Sequence, residues 1–204
     1  WIRASKEDFK LVRDLGIRET GILVSCSDYH IFKKMKMTRG EAMNYYLKTV
    51  ADAFEAAKAA LAMPALKLRG LHCHIGSQIF DIDPFCDAAD IMLRFIADIK
   101  SECSFEIKEL NLGGGLGVRY TEDDREIDYA KAISDIAKIV RSHCDAQNIK
   151  MPRIILEPGR SLVAAAGATL YTVGSVKEIP GFRNYVSVDG GMPDNPRYTL
   201  YQSS

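Results

Sequence analysis

An α/β fold is what this sequence predicts: a partial (β/α) TIM-type barrel, followed by the start of a β-rich domain. Three observations carry that expectation. Short apolar runs alternate with longer stretches of helical periodicity through four strands, as parallel βαβ units do. Three of those runs end in polar, glycine-bearing segments, the position at which parallel α/β folds bind ligands. After Gly167 the helical stretches stop, and apolar and polar residues alternate.

The elements follow in order. Residues 4–15 carry a helical pattern, with Ser5 as N-cap, Phe9, Val12 and Leu15 at helical spacing, and Gly16 as the stop. Thr20 to Cys26 is a buried strand, with Ser25, Ser27, Asp28 and His30 at or past its end. Thr38 with Glu41 has capping-box spacing and opens a helix to about Ala62, before Pro64. Lys67 to Cys73 is the second strand. Asp83 or Pro84 opens a helix to about Glu102, with Phe85, Ala89, Met92, Phe95, Ile96 and Ile99 on one stripe. Phe105 to Leu112 is the third strand. Glu126 to Gln147 is a helix with Ile133, Ile136, Ala137 and Val140 facing inward, and Arg153 to Leu156 is the fourth strand. Ala168 to Glu178 and Asn184 to Val188 then form a hairpin around Pro180-Gly181. The domain reading is three-part: residues 1–56, a βα segment; 57–167, a ligand-binding barrel portion; and 168–204, the beginning of a C-terminal β domain.

Bulk properties narrow the function classes. The 204 residues carry 27 basic and 27 acidic side chains, so a nucleic acid or an anionic membrane has no electrostatic attraction to the chain. No apolar run approaches the roughly 20 residues of a membrane span. Cys26, Cys73, Cys86, Cys103 and Cys144 are dispersed, which reads as reduced thiols in a cytoplasmic protein. Trp1 in place of an initiator Met, and a C-terminus just past a motif-like segment, read as a piece of a longer protein.

Three strand ends carry the chemistry. In Leu71-His72-Cys73-His74-Ile75-Gly76-Ser77-Gln78, the ring of His74 suits stacking on a heteroaromatic cofactor, although a lone strand-end histidine is more often a satisfied core residue. His72 and His74 lack an acidic or Cys partner at metal-ligand spacing, so no metal site is expected. Gly113, Gly114 and Gly115, followed by Leu116-Gly117, suit a phosphate cradle or simply a flexible βα turn. Glu157-Pro158-Gly159-Arg160 places a carboxylate and a guanidinium around a Pro-Gly turn. The acid suits a protonated ring nitrogen and the guanidinium a phosphate or carboxylate; a structural ion pair is the other reading. Arg197 and Tyr201, four apart, would share one face of a helical turn.

Together these segments, with Val188-Asp189-Gly190-Gly191-Met192 and Asp194-Asn195-Pro196-Arg197, resemble the diaminopimelate decarboxylases. These belong to the alanine-racemase-like barrel decarboxylases that use pyridoxal 5'-phosphate. The resemblance covers roughly residues 57–204. It implies decarboxylation of meso-2,6-diaminopimelate to L-lysine, on a small amino-acid substrate, in a homodimer. It also implies roles: His74 stacked on the cofactor ring, Ser77 and Gly113 to Gly115 with Gly159 and Arg160 around the phosphate, and Glu157 at the ring nitrogen. Arg160, Arg197 and Tyr201 would grip a substrate carboxylate. His74 and Glu157 are the implied catalytic pair.

The departures from the family pattern set expectations too. A Tyr-Ala-x-Lys-Ala type segment with the family's Schiff-base lysine is not found, nor is its late Cys-bearing motif, so weak cofactor binding and poor turnover are expected of this chain by itself. Ser25-Cys26-Ser27-Asp28-Tyr29-His30 through Lys36-Met37 is instead similar to the isopropylmalate-synthase-like acyltransferases. That likeness suggests a chimera joined near Ala53 to Ala60. It leaves two alternatives beside the decarboxylase: an acyl-CoA condensing enzyme, and a non-catalytic fragment.

Overall fold

The computed structural model describes residues 2–3, 10–11, 14–16, 22–23, 51, 53–64 and 67–194. Two compact units are present, Trp1–Ala164 and Ala165–Ser204.

In the first unit, β1 (Ile2–Arg3) pairs in parallel with β2 (Ile22–Leu23). Sequence patterning predicts β2 but not β1, a two-residue strand too short to show alternation. Lys10, Leu11 and Asp14 are helical, and Gly16 at φ 64° ends the helix where expected. Residues 53–62 are helical up to Pro64, and the Thr38 capping box lies outside the described residues.

A three-stranded parallel sheet follows in the order β3 (Gly70–His72), β4 (Glu109–Asn111), β5 (Arg153–Ile155). All three are shorter than their apolar runs suggest. Single backbone bonds extend the pairing beyond them: Lys108 N–H to Arg69 O at 3.1 Å, and Leu112 N–H to Ile155 O at 3.0 Å. Helix α1 (Asp83–Cys103) joins β3 to β4, and α2 (Tyr129–Ala146) joins β4 to β5, so each crossover is a βαβ unit.

The helices bury one stripe each. On α1 these are Phe85, Ala89, Leu93, Ile96 and Ile99; Leu93 is wholly buried and absent from the expected stripe, while Met92 and Phe95 only flank the core. On α2 they are Ala132, Ile136, Val140 and Cys144, a single i, i+4 ridge. Ile133 does not face inward as expected: it is 48% exposed, although it lies only about 20° around the helix from Val140 seven residues on, so the core covers that sector at Val140 and not at Ile133. Leu110 and Leu112 of the central strand complete the core between the helices.

Helix α2 starts at Tyr129 rather than Glu126. The carboxylate of Asp128 accepts the Lys131 N–H at 2.9 Å and sets the boundary. Asp128→Ala is expected to lower stability by about 1 kcal/mol, the usual worth of an N-cap; an unchanged urea midpoint would show that the cap is idle.

A short helix, α3 (Gly159–Val163), continuing as a 3-10 turn over Ala164–Ala166, follows Glu157 directly. The sequence reading placed only a Pro-Gly turn there. Pro158 at the N-cap position, φ −79°, has the backbone angle that starts a helix, and the Ala-rich sequence sustains it.

The second unit contains an antiparallel hairpin of β6 (Val173–Ile179) and β7 (Arg183–Val188). Gly181 at φ 75° makes the expected turn. The first strand begins at Val173, five residues later than expected, and carries a bulge between Val173 and Val176.

Candidate active site

The loops after β3, β4 and β5 leave the same edge of the sheet and enclose a cavity of about 260 Å³. Its wall contains His74 and Ser77 from the first loop, Gly114, Gly115 and Leu116 from the second, Glu157 and Pro158 from the third, and Gly159, Arg160 and Ser161 from the start of α3. Residues 83 positions apart in sequence, His74 and Glu157, thus line one space. Arg197 and Tyr201 lie outside the described residues.

The first two loops are tied together beyond the strands. Ile79 N–H donates to Gly115 O at 3.0 Å, and Gly117 N–H donates back to Ile79 O at 2.9 Å. Gln78, at φ 57°, acts as a backbone surrogate: its side-chain amide donates to Val118 O at 3.1 Å, and its carbonyl accepts the Val118 N–H at 2.9 Å. The Tyr129 hydroxyl donates to Gly117 O at 2.7 Å and pins the second loop to the first turn of α2. Ser77, just before Gln78 and Ile79, lines the cavity.

The glycine triplet is required by packing before any ligand arrives. A Cβ on Gly114 would collide with the carbonyl oxygen of Glu157, and one on Gly115 with that of Gly76. Gly113 (φ 69°) and Gly115 (φ 105°) have left-handed backbones as well. Gly113 was expected to share the phosphate with its two neighbours. It lies behind the wall instead, with its N–H bonded to Asn111 Oδ1 at 2.9 Å and its carbonyl accepting Glu157 N–H at 2.7 Å.

Glu157 is the best-supported side chain of the site. Asn111 Nδ2 donates to its Oε1 at 2.8 Å, and His72 Nε2 stands 3.7 Å from its Oε2. The Glu157 side chain is still 44% exposed and lines the cavity, where a ligand can reach it. Arg160 faces the same cavity and donates to the Tyr120 hydroxyl at 3.2 Å. Tyr120 is held in turn by Asp124, which accepts the N–H groups of Thr121 and Tyr120 at 2.8 Å each. Those two bonds, Thr121 first, hold the Asp124 carboxyl below the usual carboxylate range.

Asn111, Leu116 and Ser161 were not singled out from sequence. Asn111 did leave a signal: a lone amide inside the apolar run Leu110 to Leu112. His72 and His74 stand in different surroundings. The side chain of His72 is almost fully buried beside Glu157, while His74 lines the cavity.

Fold and site together define an α/β protein with a cofactor-sized pocket at the carboxyl ends of its parallel strands. Residues 5–164 match the sequence model for the pyridoxal-dependent decarboxylases, pyridoxal binding domain, and the chain belongs to that family. It is 50% identical over 138 residues to diaminopimelate decarboxylase of Bacillus subtilis, spanning 68% of this chain and 31% of that protein. It is 47% identical over 152 residues to the Bacillus methanolicus enzyme of the same name, spanning 74% of this chain and 35% of that protein. Among solved structures, diaminopimelate decarboxylase from M. jannaschii in complex with L-lysine superposes with a TM-score of 0.69 at 31% identity, covering 95% of this chain and 44% of that one. The chain thus spans about a third of the length of these curated relatives. The family match begins at residue 5 and runs through the segment likened to the isopropylmalate-synthase-like acyltransferases, so it gives that likeness no support.

The residues present fit the family's cofactor. A volume of about 260 Å³ lies just under the range of drug-sized pockets and suits a single phosphorylated ring. An acid, a guanidinium, two hydroxyls (Ser77 and Ser161) and a flat imidazole converge on it, and the wall between them is glycine backbone.

Proposed function

We propose that this chain is the pyridoxal-phosphate-binding portion of a decarboxylase that converts meso-2,6-diaminopimelate to L-lysine. The observation that carries the reading is the convergence of His74, Glu157 and Arg160 on one cavity; the names of the relatives supply the substrate. When bound, the cofactor supplies an electron sink for the charge left on Cα as carbon dioxide departs. Glu157 keeps the ring nitrogen protonated by placing a negative charge beside it. His74 offers its ring as a stacking surface. Ser77, Gly114, Gly115 and Gly159 surround the phosphate, and Arg160 meets either that phosphate or a substrate carboxylate. Arg197 and Tyr201 grip the second carboxylate of the substrate, which selects a dicarboxylic diamine over ornithine. The enzyme works as a homodimer in the cytoplasm. The absence of disulfides among Cys73, Cys86, Cys103 and Cys144 accords with a reducing compartment. Residues 168–204 open a second, β-rich domain, beyond the end of the family match at residue 164.

Absorbance titration with pyridoxal phosphate tests the reading. Saturable binding is expected, and His74→Ala should weaken it by roughly threefold to tenfold, the worth of one stacked ring. A wild-type chain that shows no saturable binding would remove the proposal.

A further inference from the structure

We infer that Asn111 is a positioning residue that sets the orientation of Glu157. Asn111 lies at the carboxyl end of the central strand and is about nine-tenths buried. An amide there has two ends to satisfy, and each has one partner. Its oxygen accepts the Gly113 N–H at 2.9 Å. Only an oxygen can accept that proton, so the opposite end must be the NH₂ group. The NH₂ group donates to Glu157 Oε1 at 2.8 Å. The glycine backbone therefore dictates which way the amide points, and the amide presents a proton to the carboxylate.

The other groups facing Glu157 are accounted for. From β3, His72 Nε2 stands 3.7 Å from Oε2. His74 and Arg160 line the same cavity. Asn111 is the neighbour within hydrogen-bond distance of Oε1, and it occupies one carboxylate oxygen while leaving the other side of the group open. Asn111 touches the reacting atoms only through Glu157. Its functional consequence rests on the proposal that Glu157 pairs with a cofactor ring nitrogen; its effect on Glu157 does not.

Asn111→Ser removes the donor, because a serine hydroxyl is too short to reach Glu157. The test is a double-mutant cycle on the whole 204-residue chain, with pyridoxal phosphate affinity as the readout. Asn111→Ser should weaken binding about tenfold in the wild-type background and leave it nearly unchanged in the Glu157→Ala background, where there is no carboxylate left to orient. Circular dichroism checks folding; if Asn111→Ser does not fold, Asn111→Asp, which keeps an acceptor for the Gly113 N–H and loses the donor, takes its place in the cycle. Equal losses in the two backgrounds overturn the inference. A wild type that does not bind pyridoxal phosphate overturns the cofactor reading instead.

Discussion

Gly115→Ala is expected to lower stability by about 3 kcal/mol, the sum of a left-handed backbone and an overpacked contact, each worth about 1–3 kcal/mol. The φ of Gly115 is 105°, a conformation that a side chain resists. The added methyl would also strike the carbonyl oxygen of Gly76, an atom on a neighbouring loop with no flexible end to move aside. Relief requires the two loops to part. That would strain the Ile79 N–H to Gly115 O bond and the return bond from Gly117 to Ile79. Gly159→Ala is the control: nothing lies within 4 Å of its Cβ position, and its φ is not left-handed, so little change is expected there. Urea unfolding of both variants measures the difference. A Gly115→Ala midpoint equal to that of Gly159→Ala would show that the loops are not packed as described.

Glu157→Gln is expected to weaken pyridoxal phosphate binding by about 10-fold to 100-fold, the worth of a hydrogen bond to a charged group. In an active, longer form it should slow decarboxylation by about 100-fold or more, the range spanned by a positioned acid or base. The change keeps the shape of the side chain, and its remaining oxygen can still accept from Asn111 Nδ2. What disappears is the negative charge beside the ring nitrogen. Dissociation constants and turnover in parallel distinguish lost charge from lost packing, since Glu157→Ala removes both. Equal affinity and rate for Glu157→Gln and wild type would remove Glu157 from the acid role.

Much of this was legible before any coordinates. The α1 and α2 boundaries fall within a few residues of expectation, because Pro84 and the apolar spacing mark them in the chain itself. The hairpin turn at Gly181 was equally local. Ile133 was misplaced because it shares an angular sector with Val140, so apolar spacing alone does not separate them; which turns of that face are covered is decided by packing. Helix α3 was missed because Pro-Gly signals a turn as strongly as a helix start.

Sequence alone determined the βα alternation around the three-stranded sheet, the hairpin after it and the three polar segments that end the parallel strands. Periodicity, caps and turn residues act over a few positions, and those positions carry their own information. Tertiary structure decided which atoms of those segments meet. It put the Gly113 N–H on Asn111 instead of at the cavity, turned Asn111 toward Glu157, and left His72 buried beside Glu157 while His74 lines the cavity. The Gly113 bond is local, but the contacts of Asn111 and His72 with Glu157 cross roughly 40 to 90 residues of chain, where the register of one strand against the next selects the partner; local pattern carries no such register.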